Sequence, residues 1–226
     1  MYFIVISSPS GGGKTTICNM LINEKSSPIF NQVKFSISAT TRQKRGEETN
    51  GKEYFFLSKE EFSQMIAKKQ LLEYAEICGN FYGTPLKEIS KTHHTLFDID
   101  FQGFIQINEN IPQNILSIFL LPPSLEALKS RLTNRGDIPT EIIEGRMKNA
   151  ILDISHSKHY EYILTNNTIE ETFKAICTII DFKINGEKGL SHKQIQKNSK
   201  KIQSLQTENV ENYLKEALNT TSLCIL

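Results

Sequence analysis

Apolar residues in this chain come in short dense runs separated by longer stretches of helical periodicity. The dense runs stand at Tyr2–Ser7, Lys34–Ser38, Glu53–Leu57, Leu71–Cys78, Thr95–Asp100, Ile115–Leu121 and Tyr160–Leu164, each of a length that suits a strand. Between most of them the apolar positions recur at helix spacing. Ser58-x-x-Glu61 ahead of Phe62, Met65 and Ile66 is a capping-box start, and Thr168-x-x-Glu171 ahead of Phe173, Ile176 and Ile180 repeats it. Pro122-Pro123-Ser124 ends a buried run and opens a helix carrying Leu125, Leu128 and Leu132. Strands alternating with helices predict an α/β fold with a mainly parallel sheet covered on both faces. From about Lys34 to Pro85 the rhythm breaks into short strands of alternating polarity, which predicts a small inserted subdomain. Past Gly189 the chain turns polar, with Tyr213 its one aromatic residue. The stripe Ile202, Leu205, Val210, Leu214, Leu218 predicts a solvated tail with a frayed helix over 190–226, a docking segment being the competing reading.

Composition narrows the class. The chain has 226 residues, enough for one α/β domain with a proper core and a mobile part. Lys plus Arg number 26 against 25 acidic residues, so no global basic field favours nucleic acid or an anionic membrane. Cys18, Cys78, Cys177 and Cys224 are scattered without a C-x-x-C pair, which fits reduced thiols in a cytoplasm. The N-terminal apolar run stops at Ile6 without a basic lead, so it reads as a core strand rather than a signal peptide. No stretch reaches the ~20 apolar residues of a membrane span.

The chemistry begins where the first strand ends. Residues 4–16 read IVISSPSGGGKTT, an apolar strand running into a glycine-rich turn and then a helix marked by Ile17, Met20 and Leu21. Gly11, Gly12 and Gly13 carry no Cβ, so the backbone of Ser10 to Gly13 can wrap an anion with its N–H groups at a helix N-terminus. Lys14 supplies a point charge for terminal phosphates, Thr15 a hydroxyl for Mg²⁺ that completes the motif, and Thr16 follows it. Ser8 replaces the first glycine of the G-x-x-x-x-G-K-[ST] pattern, ahead of Pro9, which already favours an extended conformation there. The turn therefore reads as a nucleoside triphosphate site.

A second charged block follows. Arg42 and Arg45 lie three apart in a polar stretch closed by Tyr54, two guanidinium forks and a phenol suited to a dianionic phosphate. Glu73 interrupts an apolar strand, and Tyr82 lies close to Gly79 and Gly83. Asp98 and Asp100 close the strand T-L-F-D-I-D, where an acid at the carboxyl end suits metal-water or substrate contact. Arg131 and Arg135 stand i, i+4 on a helix face ending at Gly136, with Arg146 on the next helical stretch. His156 and His159 lack a third ligand nearby in sequence and read as surface residues, while His93 and His94 fall in a turn without an assigned role.

The blocks SSPSGGGKTT, SATTRQKRGEETNGKEYFF, EYAEICGNFYGTP, LFDIDFQG, SRLTNRG and EGRMKNA, in that order over about residues 1–185, make the chain resemble the guanylate kinases. The resemblance implies a P-loop-type parallel-sheet core, an inserted GMP-binding subdomain (about 34–85), a helical lid (about 125–156) and transfer of phosphoryl from ATP to GMP and dGMP. It implies that Ser38, Glu73 and Thr84 read guanine and that Arg42, Arg45, Tyr54 and Tyr82 grip the GMP phosphate. One of Asp98 and Asp100 would also meet the GMP base or ribose. Arg131, Arg135 and Arg146 would close over ATP as lid arginines, beside Lys14 in the chemical step. Asn166 would lie near adenine. The chemistry agrees at Glu73: a carboxylate can accept from guanine N1–H and the 2-amino group together, whereas adenine offers a lone pair at N1.

Three departures stand out: Ser8, a loop in which Gly46 is displaced by one position while Glu48, Gly51 and Tyr54 keep theirs, and Asp153 where Glu is usual. Two rival readings remain. A catalytically lapsed peptide-binding module would not need Lys14, Thr15 and the arginines, and a kinase of ribose bisphosphate would not need Glu73 with Ser38 and Thr84. The sequence leaves monomer and homodimer both open.

Overall fold

The computed structural model describes residues 1–24, 28–77, 79–134 and 140–186. Arg135, Cys78 and the tail 190–226 lie outside the described residues. The central strand is β1 (Phe3–Ser7), whose FIVIS sequence is buried on both faces from Ile4 onward. It pairs in parallel with β7 (His94–Asp98) on one side and β8 (Ile115–Leu121) on the other, Ile4 facing Leu96 and Leu116. Outer strands β2 (Val33–Phe35) and β9 (Tyr162–Thr165) complete a five-stranded parallel sheet of order β2-β7-β1-β8-β9.

Alternation along the strands sorts the core into two layers. Ile4, Ile6, Leu96, Leu116, Ile118 and Leu120 meet Ile17 and Leu21 of α1 (Lys14–Asn23) and Ile176, Ile179 and Ile180 of α6 (Ile169–Asn185). Val5, Phe97, Phe119 and Leu121 face the other way, onto Phe104 and Ile107 of α3 (Phe101–Asn110) and onto Tyr160. Burying each such side chain contributes about 1.5–3 kcal/mol, which is what fixes the register of the sheet under the site.

Between β2 and β7 the chain builds a second sheet of order β4-β3-β6-β5 from β3 (Ala39–Thr40), β4 (Phe55–Phe56), β5 (Leu71–Ile77) and β6 (Asn80–Pro85). Helix α2 (Lys59–Ala67) carries the expected capping box: Glu61 N–H donates to Ser58 Oγ at 3.1 Å and Ser58 N–H to Glu61 Oε2 at 2.7 Å. At α6 only half the device forms, since Glu171 N–H reaches Thr168 Oγ1 while that hydroxyl donates to Glu171 Oε2.

Several sequence expectations shift. The run at Lys34 contributes β2 to the main sheet, so the separate sheet begins at Ala39. Strand β6 was not expected, because NFYGTP carries the residues of a turn, yet it pairs with both β5 and β3. Asp100 is not the end of a strand: β7 stops at Asp98, and Asp100 caps α3 by accepting from Gly103 N–H at 3.0 Å. His94 is no turn residue but the buried first position of β7, its Nδ1 accepting from Tyr2 N–H at 2.8 Å. Helices α4 (Leu125–Thr133) and α5 (Thr140–Ser155) follow β8, and Leu128 and Leu132 pack on Ala150. No described helix is long and apolar enough to cross a membrane.

Candidate active site

Strands β1, β7 and β8 end at one edge of the parallel sheet, and the loop from Ser8 to Gly13 turns there into α1. Gly11 and Gly13 take φ of 87° and 96°, the left-handed region in which a side chain would be strained. Ser8 is accommodated: it is buried, and its Oγ donates to Pro9 O at 3.0 Å. The loop, together with Lys14, Thr15 and Thr16, lines a cavity of about 530 Å³. The same cavity is lined by Ser38 and Tyr54, which flank β3 and β4, by Glu73 of β5 and Tyr82 of β6, and by Asp98 and Asp100, so residues expected to bind two different nucleotides face one space.

At the loop end, Lys14 Nζ forms an ion pair with Asp98, and Thr15 Oγ1 donates to Asp98 Oδ2 at 2.9 Å. Burial works to lower the Lys14 pKa, but attraction and hydrogen bonding from Asp98 outweigh it, and the ammonium is held charged. The hydroxyl and carboxylate oxygens of Thr15 and Asp98 are the hard donors that Mg²⁺ takes. Among the described residues no three His, Cys, Asp or Glu side chains converge on a possible metal position. His156 stacks on Phe101 at 3.9 Å and 2°, and His159 lies over the same ring at 5.3 Å. The histidine pair is therefore part of an aromatic packing cluster.

At the other end, Glu73 is 4 % exposed and its Oε1 accepts from Thr84 Oγ1 at 2.6 Å. Burial, together with the charge of Asp100, pushes its pKa up to about 7, against the pull of the Thr84 hydrogen bond. Thr84 itself is fully buried and reaches the cavity only through Glu73. Arg42 is buried and held by Glu48 in a fork, Nη2 to Oε1 at 2.8 Å and Nη1 to Oε2 at 3.0 Å, with Arg45 N–H donating to the same carboxylate at 2.7 Å. The guanidinium lies 5.3 Å from the Tyr54 ring, and Tyr54 meets Tyr82 edge-on at 5.9 Å. The Arg45 side chain is exposed.

The remaining residues are less direct. Asn166 is buried behind the loop, where its Nδ2 donates to Gly12 O at 2.8 Å and packs against Gly13. Its main-chain carbonyl accepts from Arg131 Nη2 at 3.5 Å, so Arg131 points at the back of the loop rather than into the cavity. Arg146 sits half-buried on α5 away from the lining. Asp153, of which sequence reasoning expected little, does line the cavity with Asn149 and Leu152 of the same helix. Burial and the charge of Asp100 push its pKa up to about 7, opposed by Lys14. Nothing local in the sequence marked it, since polar Asn149 lines the same cavity from the same helix.

Comparison with known proteins gives one family throughout. The family model described as guanylate kinase matches residues 1–183. The guanylate kinase of Ehrlichia ruminantium is 43 % identical over 180 residues, covering 78 % of this chain and 84 % of that protein. That of Clostridium acetobutylicum is 41 % identical over 181 residues, covering 78 % and 83 %. The crystal structure of guanylate kinase from Anaplasma phagocytophilum superposes with a TM-score of 0.66 at 31 % identity, covering 87 % of this chain and 93 % of that one.

Proposed function

The chain belongs to the guanylate kinase family, and on that premise we propose how its residues share the work of moving the γ-phosphoryl of ATP to GMP. The enzyme is an ATP:GMP phosphotransferase giving ADP and GDP. The observation that carries the assignment of roles is the single cavity lined at one end by the glycine loop with Lys14 and at the other by Glu73, Tyr54 and Tyr82.

In this reading the loop amides of Ser10 to Gly13 cradle the ATP phosphates, and Lys14, Thr15 and Thr16 complete the grip. Bound Mg²⁺, held by Thr15 and the nucleotide with Asp98 in reach through water, would screen charge between the phosphates. Arg42, Arg45, Tyr54 and Tyr82 bind the acceptor phosphate, and Glu73, supported by Thr84 and joined by Ser38, accepts from guanine N1–H and the 2-amino group. A site built on such polar matching rejects the wrong base by up to ~10⁴–10⁵, because adenine leaves the carboxylate unpaired. Asp100, lining the cavity with Glu73, would contact the acceptor nucleotide, and Asp98, bonded to Thr15, would serve the metal side. The acceptor oxygen is already anionic near neutral pH, so no general base is needed, and positioning with spread positive charge lowers the barrier. Residues 125–156 form a lid that brings Arg131, Arg135 and Arg146 toward the transferring group, and closure keeps water from consuming ATP. Deoxy-GMP is a second acceptor, the second sheet with α2, from Ala39 to Pro85, forms the acceptor subdomain, and the setting is cytoplasmic.

The test is ADP release with ATP and Mg²⁺ across GMP, dGMP, AMP, UMP, CMP and ribose 1,5-bisphosphate. Activity confined to the guanine nucleotides is the expected result. Activity on the sugar bisphosphate alone would overturn the acceptor, and binding of GMP without turnover would mark a lapsed enzyme.

A further inference from the structure

Glu73 belongs to a strand with a neighbour on one side only. In the second sheet β5 lies at the edge, next to β6, and its register slips between Leu71 and Glu73. Such a bulge re-aims a side chain but loosens the ladder around it. The open side of the strand is filled by a helix of the other layer. Gln106 of α3 accepts from Tyr74 N–H through Oε1 at 3.1 Å and donates from Nε2 to Tyr74 O at 2.6 Å. Asn110, one turn on, donates to Leu72 O at 3.3 Å. These two side chains bind the residues on either side of Glu73 as a neighbouring strand would.

One turn before Gln106 stands Gly103. A Cβ built there would lie 2.5 Å from Glu73 Oε2 and 3.1 Å from its Cδ. Real Cβ contacts of 2.5 Å do not occur, so the carboxylate occupies the space that glycine leaves. It has little freedom to retreat, since Oε1 is held by Thr84 at 2.6 Å. Gly103, Gln106 and Asn110 share one face of α3, spaced three and four apart.

We propose that this face of α3 is the positioning element of the base reader: Gly103, Gln106 and Asn110 fix where the Glu73 carboxylate stands and so set base selectivity without touching nucleotide. The inference rests on the reading of Glu73 as the group that meets guanine. Displacing the carboxylate spoils the two-pronged contact with N1–H and the 2-amino group before it spoils anything at the phosphates.

The experiment compares GMP with IMP, which keeps N1–H and O6 but lacks the 2-amino group, so the ratio of their kcat/KM reports the second prong alone. Gly103→Ala and Gln106→Leu are measured beside Glu73→Gln. Expected is a fall of the GMP/IMP ratio by about ten-fold in Gly103→Ala and several-fold in Gln106→Leu, from misplacement by about 1 Å or less, with the KM for ATP unchanged. A merely structural role would lower the unfolding temperature and leave the ratio alone. Alanine is the better helix former, so α3 survives the first variant; should it fail to fold, Gln106→Leu decides the matter. The wild-type ratio in both α3 variants, with a collapsed ratio in Glu73→Gln, overturns the inference. An intact ratio in Glu73→Gln overturns instead the reading of Glu73 on which it rests.

Discussion

Acceptor binding should be linked to a proton through Glu73. With its pKa near 7 before nucleotide binds, the carboxyl is about nine-tenths ionised at pH 8 and about one-tenth at pH 6. Guanine N1–H and the 2-amino group are donors, so only the ionised form accepts from both; the neutral acid would turn a donor of its own toward them. The sign follows: GMP affinity rises with pH and levels off above 7. From the two ionised fractions, the Kd for GMP at pH 6 should exceed that at pH 8 by about ten-fold, or about 1.4 kcal/mol. The ligand's own phosphate, with a second pKa near 6, adds about a factor of two in the same direction. Isothermal titration at pH 6, 7 and 8, in buffers of different ionisation enthalpy, separates the two: at pH 7 binding should release about half a proton beyond the phosphate's share. Glu73→Gln should keep the phosphate's two-fold dependence and lose the rest. An equal pH slope in wild type and Glu73→Gln would refute the argument.

Three further outcomes are expected. Lys14→Met should lower kcat by about 10²–10³, the cost of removing one cation aimed at developing charge, with GMP binding measured by titration nearly unaffected. Asn166→Ala should raise the KM for ATP and for GTP as donor by the same factor, about ten-fold, because it removes the Gly12 brace common to both; a change for ATP alone would make Asn166 a reader of adenine instead. Asp153→Asn should stabilise the protein at pH 8 by a few kcal/mol and not at pH 4 in urea unfolding. Its carboxyl pKa is raised in the fold, from 3.8 to about 7, so the folded state binds the extra proton and wild-type stability falls as pH rises through that window.

What the sequence revealed and what it hid divides by distance along the chain. The glycine loop is legible because its signal lies in consecutive residues, Ser8 to Thr16, and Glu73 because a charge in an apolar strand needs a reason. The α/β layering follows from dense apolar runs such as FIVIS and ILSIFLL, buried on both faces, alternating with helical stretches. Strand β6 was hidden because its partners supply what its composition lacks: β3 and β5 on either side hold NFYGTP extended against its turn propensity. Asp98 and Asp100, two apart, suggest one strand and one face, but the hydrogen bond from Gly103 N–H breaks the strand between them. Gly103 and Asp153 carried no local signal at all. Each matters through a contact with a residue more than 29 positions away, Glu73 for the first and the cavity around Lys14 and Asp100 for the second.

The two strongest phosphate-binding candidates share a further design, which bears on why the site can fold at all. Lys14 is paired with Asp98 and Arg42 with Glu48, so neither partly or wholly buried cation stands alone, and an unpaired one would cost several kcal/mol. The pairing also aims. Glu48 lowers its own pKa against Arg42 and engages both Nη atoms, while Gln43 O takes a second hydrogen from Nη1 at 2.6 Å. Of the five guanidinium N–H groups, three are thus committed. What is left for a phosphate is the Nε and outer Nη2 side, one edge of the fork rather than the whole. A carboxylate that occupies two corners of the guanidinium therefore turns a flexible cation into a directed one, while Arg45, bonded to Glu48 through its backbone, keeps an exposed side chain that the proposed phosphate site could use as its second contact.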